Sequence, residues 1–129
     1  FHMKLSDSVN GLQHVGIPSE DLQKSAAFYE SLGFTKIYET PNGEENVAFM
    51  ELGGLVIELY GNRPIKGCSG AIDHISLDST DIETSYAACK ELGLTFFEDI
   101  TFLPFWTNGI RYFSIVGPSR EIIEVCQKL

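Results

Sequence analysis

Two histidines and two glutamates are the residues of this chain best suited to chemistry. His14 and His74 stand 60 residues apart, Glu58 and Glu124 stand 66 apart, and all four lie in short apolar runs. Imidazole and carboxylate are borderline and hard donors that suit Zn²⁺, Ni²⁺, Co²⁺, Mn²⁺ or Fe²⁺ without any thiolate. A lone strand histidine carries little weight, being more often a core or edge residue. The glutamates carry more. Glu58 is flanked by Val56, Ile57, Leu59 and Tyr60, and Glu124 by Ile122, Ile123 and Val125. An ionised carboxylate on one face of an apolar strand is costly unless it is paired or bound to a cation. If two similar halves pack about a pseudo-twofold axis, equivalent positions converge, and His14, Glu58, His74 and Glu124 form one divalent-metal site.

The repeat behind that spacing is visible along the chain. Laid over residues 74–94, residues 14–34 match without a gap at His14/His74, Ser19/Ser79, Asp21/Asp81, Ser25/Ser85, Ala27/Ala87, Leu32/Leu92 and Gly33/Gly93. Val56-Ile57-Glu58-Leu59 likewise resembles Ile122-Ile123-Glu124-Val125, six residues having been inserted in the second half. The chain is a tandem of two units.

The elements that must position the four residues follow from pattern. Each unit opens on a strand, Leu12 to Ile17 and Ile72 to Leu77, closed by the capping-rich Pro18-Ser19-Glu20-Asp21 and Asp78-Ser79-Thr80-Asp81. Helices are expected over Leu22 to Leu32 and Ile82 to Leu92, with Gly33 and Gly93 as left-handed caps. Three strands follow each: Thr35 to Glu39, Asn46 to Leu52 and Leu55 to Tyr60, then Thr95 to Ile100, Ile110 to Val116 and Glu121 to Gln127. Pro41-Asn42-Gly43, Gly53-Gly54 and Gly117-Pro118-Ser119 supply turns. The order is βαβββ twice, an α+β fold rather than a doubly wound parallel sheet, with a linker around Gly61 to Gly70. The expectation is one domain over residues 10–129, its modules spanning about 10–62 and 70–129.

Composition narrows the partners. A net charge of −9 with no Lys/Arg cluster disfavours nucleic acid and anionic membranes, and the apolar runs fall far short of a bilayer span, which needs about 20 residues. The reading is cytoplasmic. Cys68, Cys89 and Cys126 form no CxxC and read as reduced, mostly buried thiols, while Phe1-His2 ahead of Met3 reads as a cloning remnant that sets His2 apart.

From Leu12 to Gln127 the sequence resembles the vicinal oxygen chelate superfamily, which includes glyoxalases, bleomycin-resistance proteins and extradiol dioxygenases. The resemblance rests on Leu12-Gln13-His14-Val15-Gly16-Ile17, Phe28 to Phe34, Val56 to Leu59, Ile72-Asp73-His74-Ile75-Ser76-Leu77 and Gly117 to Glu124. Within it the His, Glu, His, Glu set is similar to that of glyoxalase I, lactoylglutathione lyase. Ring-cleaving members use two His and one Glu, epimerases carry Gln where Glu58 stands, and antibiotic-sequestering members usually lack the set.

That resemblance implies a small carbonyl or thiol-adduct substrate and one divalent ion per site. A proton is removed next to a carbonyl through a metal-stabilised enediolate, with Glu124 as the base and Glu58 returning the proton to the adjacent carbon. It also implies a homodimer that completes its clefts with a second chain. The alternatives are a metal-dependent epimerase or sugar-compound isomerase, or a binding or resistance protein without turnover. Asn62 matches a residue that helps hold glutathione, but Pro18 stands where a basic residue is expected. Phe102, Phe105 and Trp106 replace a basic, Gly-rich loop. The departure favours a smaller or less charged carbonyl compound over the glutathione adduct. Phe102 to Trp106 can wall the pocket or pack the core, Arg111 can face an anionic substrate group, and Cys126 is expected on the face of Glu124. Glu44 and Glu45 precede a strand where epimerases carry a base, although a solvated turn is their ordinary reading.

Overall fold

A computed structural model describes residues 7–8, 12–61, 64–70 and 72–129. The first unit holds β1 (Val15–Pro18), α1 (Leu22–Ser31), β2 (Thr35–Asn42), β3 (Glu45–Leu52) and β4 (Leu55–Tyr60). The second holds β5 (His74–Asp78), α2 (Ile82–Glu91), β6 (Thr95–Leu103), β7 (Ile110–Val116) and β8 (Ile122–Lys128). Each unit makes a four-stranded sheet, in the orders β1-β4-β3-β2 and β5-β8-β7-β6. The fold is α+β, two βαβββ modules.

The local reasons repeat from unit to unit. Asp21 and Asp81 cap the helices by accepting from the backbone N–H of Lys24 and Thr84. Leu32 and Leu92 end them, and Gly33 and Gly93 turn the chain away at φ 103° and 70°, a region open to glycine. Leaving the first strand, Ser19 donates its N–H to the Tyr60 carbonyl and Ser79 to that of Cys126, each at 2.8 Å. The paired hydroxyls of Ser19/Ser25 and Ser79/Ser85, 2.6 and 2.7 Å apart, tie the strand exit to the helix.

The crossover helix lets the first strand of each unit pair in parallel with the last, β1 with β4 and β5 with β8, while the other neighbours run antiparallel. One face of each sheet is spent on the core. Ile57 and Leu59 of β4, Ala48 and Met50 of β3, Ile123 and Val125 of β8, and Phe113 and Ile115 of β7 join Ala26 and Tyr29 of α1 and Ile82 and Cys89 of α2 in one cluster. By alternation, Glu58 and Glu124 point to the opposite, open faces.

The halves meet through a partly buried polar contact as well as through apolar packing. Tyr29, fully buried, donates its hydroxyl to Glu121 Oε2 at 2.8 Å, and the N–H of Ser119 donates to Glu121 Oε1 at 2.8 Å. Burial first, then the negative charge and hydrogen bond of Glu121, holds the Tyr29 phenol well above its ordinary range.

The bounds expected from sequence shift at several strand ends. β1 and β5 begin at Val15 and His74, so His14 stands just ahead of its strand, and β2 runs on to Asn42, leaving a tighter turn. β6 runs on to Leu103, so the inserted residues lengthen the β6–β7 hairpin.

Tyr29→Phe should cost about 1–3 kcal/mol in urea unfolding, because it leaves the Glu121 carboxylate short of a donor. The sign of the pH dependence follows from the raised phenol. The native chain holds this proton more tightly than the unfolded one, so its contribution is whole below the ordinary value of 10.0 and is lost as pH rises beyond it. That alkaline loss should be smaller in Tyr29→Phe; equal loss in both proteins would place the titration elsewhere.

Candidate metal centre

The parallel ladders decide which side chains meet. Gly16 is opposite Glu58 and Ser76 is opposite Glu124, so a histidine two residues earlier in each first strand lies on the same face as the carboxylate. His14 Nε2 stands 3.5 Å from Glu58 Oε1, and His74 Nε2 stands 3.7 Å from Glu124 Oε1. Beside this pair in the first unit, a Cβ on Gly16 would stand 3.2 Å from the Tyr60 ring and 3.8 Å from Glu58 Oε1.

In both pairs the other ring nitrogen is engaged by the preceding residue. Gln13 Oε1 lies 3.0 Å from His14 Nδ1, and Asp73 Oδ2 lies 2.8 Å from His74 Nδ1. A ring that donates from Nδ1 presents the Nε2 lone pair outward, the tautomer a metal ligand requires. The separations are too long for direct hydrogen bonds. They are a few tenths of an ångström wider than the roughly 3.0–3.4 Å spanned by two ligands at about 2.1 Å from one ion. The donor types and their aim therefore fit a divalent cation.

The hydrogen bond that Asp73 accepts from the ring, reinforced by the charges of Glu124, Asp73 and Glu98, raises the His74 pKa above 6.5 against an opposing effect of burial. Cys126 follows Glu124 on β8, and its thiol is pushed up by burial and then by the Glu124 charge, which keeps it protonated. Cys89 is buried and likewise raised by burial, and Cys68 is exposed, so the expectation of mostly buried thiols does not extend to Cys68.

Within the chain the four residues stand as two pairs. Among the described residues no group of three or more His, Cys, Asp or Glu side chains gathers in metal-binding range. The convergence expected from the repeat thus stops at the His–Glu pair of each unit.

The remaining sequence-derived residues separate. Phe105 lines a cavity of about 310 Å³ together with His74 and Glu124. Phe102 lies against Gly109 at the base of the hairpin, and Trp106, 73% exposed at φ 63°, carries the Lys128 ammonium 4.1 Å from its ring centre. Arg111 goes to the other side of its sheet. It alternates in step with the core residues Phe113 and Ile115 and pairs with Glu83 of α2, so it is not brought to the His74 face. Glu44 and Glu45 line a separate open cavity with Ser19 and Gly61. Asn62 lies outside the described residues.

Sequence reasoning missed three residues on the same cavity wall: Glu98, Tyr112 and Ser114. Tyr112 donates to Glu98 Oε2 at 3.1 Å and Ser114 to Glu98 Oε1 at 3.2 Å. The register breaks on both sides of Glu98 in the β6–β7 ladder, which hides it from any alternation rule.

Comparison with known proteins agrees with this architecture. Residues 11–114 match the family model described as the Glyoxalase/Bleomycin resistance protein/Dioxygenase superfamily. The chain is 34% identical over 125 residues to the uncharacterized protein YwbC of Bacillus subtilis (strain 168), covering 91% of this chain and 97% of that one. Among solved structures it is similar to SMU.1112c, with a TM-score of 0.77, 21% identity, and coverage of 92% of this chain and 99% of the other. It is also similar to the genomically encoded fosfomycin resistance protein FosX of Listeria monocytogenes, with a TM-score of 0.74, 18% identity, and coverage of 94% and 95%. At those identities the structural likeness shows the fold. Among the described residues no helix is long and apolar enough to cross a membrane.

Asp73→Asn should lower the His74 pKa in metal-free protein, because it removes the charge that favours the imidazolium. The imidazole resonances followed by NMR against pH give the shift; an unmoved midpoint would show that Asp73 does not control this ring.

Proposed function

Because the chain belongs to the Glyoxalase/Bleomycin resistance protein/Dioxygenase superfamily, we propose that it is a metal-dependent lyase or isomerase of the glyoxalase I type, acting on a small carbonyl compound. The observation that carries this reading is the twice-repeated pair, an Nε2 atom facing a carboxylate with Nδ1 engaged from behind. His14 and Glu58 would hold the ion together with His74 and Glu124 of a second copy of the chain. A twofold axis that lays the first unit of one protomer over the second unit of its partner creates two such sites at once. The aromatic side chains left on the sheets, Tyr38 at 58% exposure and Phe97 at 64%, suit surfaces that a partner covers.

When bound, the ion supplies Lewis-acid polarisation of the substrate carbonyl, worth several kcal/mol in sites of this kind. The chain's own groups move the proton. Glu124 takes it from the carbon next to the carbonyl, and Glu58, reaching the centre from the other protomer's unit, returns it to the adjacent carbon. Leu103, Phe105 and Ile110 limit water on one side of the cavity that holds Glu124. With Pro18 and the aromatic hairpin in place of basic groups, the two carboxylates of a glutathione adduct find no fixed partner, so the methylglyoxal–glutathione hemithioacetal should turn over poorly.

Reconstituted protein should hold about one divalent ion per four-ligand set, and His14→Ala and His74→Ala should each lose it. Mixing the two variants after reversible dissociation then separates the arrangements. Sites shared between protomers should recover about a quarter of full metal content, since half of the random dimers carry one intact site of two. No recovery would reject sites shared between protomers. Retention of full metal by both single variants would reject the ligand assignment.

Glu124→Gln should retain the ion yet slow solvent-deuterium exchange next to the carbonyl of small hydroxycarbonyl compounds by roughly 10²–10⁴-fold. Unchanged exchange with metal bound would remove Glu124 as the base.

A further inference from the structure

The repeat that preserves the His–Glu pair changes the surface beside it. Directly opposed residues on neighbouring strands share a sheet face, so the registers map the open faces residue by residue. In the first unit Phe49 is opposite Glu58, Tyr38 is opposite Phe49, and Val47 is opposite Tyr60. In the second unit the same three places are taken by Ser114, opposite Glu124; by Glu98, opposite Ser114; and by Tyr112, opposite Cys126. The first face is aromatic and aliphatic, with the Phe49 ring edge-on to His14 at 5.7 Å. The second replaces all three with hydrogen-bonding groups.

Those groups are organised around one carboxylate. Tyr112 and Ser114 each donate to a different oxygen of Glu98, which fixes the plane of the group. A carboxylate offers about four acceptor positions, so each oxygen keeps one free. Glu98 lines the cavity of about 310 Å³ that also holds His74 and Glu124, between apolar walls that include Phe97, Leu103, Phe105 and Ile110. The break in register around Glu98 lets consecutive residues Phe97 and Glu98 both line it.

Resting on the reading of His74 and Glu124 as half of the reactive centre, we propose that Glu98, held by Tyr112 and Ser114, is a specificity-determining residue that selects an uncharged, hydroxyl-bearing carbonyl substrate and rejects anionic ones. A pair of substrate hydroxyls, such as the two that flank the carbonyl of a dihydroxyketone, donates to the two free acceptor positions. A carboxylate or phosphate in that place meets a like charge whose position is fixed by two hydrogen bonds. The aromatic first-unit face then covers the less polar side of the same molecule. The substrate class is therefore a small polyhydroxylated ketone or aldehyde.

Dihydroxyacetone and its carboxylated counterpart hydroxypyruvate are matched probes, titrated by NMR into the intact zinc-loaded protein and into Glu98→Gln and Tyr112→Phe. Comparing variants cancels the stronger chelation of zinc by the keto acid. Glu98→Gln should shift the affinity ratio toward hydroxypyruvate by about tenfold, near 1.4 kcal/mol, with Tyr112→Phe shifting it less in the same direction. A ratio within twofold of wild type in Glu98→Gln would overturn the proposal, as would the absence of saturable dihydroxyacetone binding at concentrations up to roughly 100 mM. Zinc content measured on the same samples keeps the two readings apart. Glu98→Gln should leave it unchanged, and failure of wild type to bind zinc defeats the metal reading while the probe ratio in zinc-free protein still reports on Glu98.

Discussion

The parallel ladder between the first and last strands of each unit is the constraint on which the rest of the molecule depends. A parallel pair cannot be closed by a hairpin, so the helix and two intervening strands must lie between its members. Its register places Gly16 beside Glu58 and Ser76 beside Glu124. A slip of one residue would turn the carboxylates into the core and Ile57, Leu59, Ile123 and Val125 outward, exchanging apolar burial for buried charge. Core formation and the pairing of His with Glu are thus two results of one register.

The two faces of each sheet divide the work accordingly. Helices cover the inner faces, where Tyr29 and Glu121 add a hydrogen bond between the halves inside otherwise apolar packing. The outer faces keep their polar groups. There the carboxylates stand close to imidazole rings whose far nitrogens are engaged by Gln13 and Asp73. Fixing the far nitrogen leaves the near one available as a donor, which a freely rotating exposed histidine would not guarantee.

Duplication gives the molecule two copies of the same half-site but not the same surroundings. Where the first unit places Tyr38, Val47 and Phe49 around its pair, the second places Glu98, Tyr112 and Ser114. Ligand positions are tied to the ladder and to each other, whereas neighbouring outward positions on the sheet can change without disturbing the core. Chemical asymmetry around a symmetric pair is what a repeat of this topology permits.

Much of this was legible in the sequence, because it depends on local chemistry and on repetition. Matched Asp21 and Asp81, Gly33 and Gly93, and the alternating apolar runs determined the helices, their caps, the βαβββ order and which two histidines and two glutamates are equivalent. Tertiary structure decided what periodicity cannot carry. Arg111 could be read toward a substrate until β7 parity put it on the helix side with Glu83. Glu98 was hidden because register breaks in β6 suspend alternation at that point. The two pairs share a matched spacing that suggests convergence, yet within one chain each remains with its own sheet. Sequence spacing fixes which residues are equivalent, while the packing of the units decides which equivalents meet.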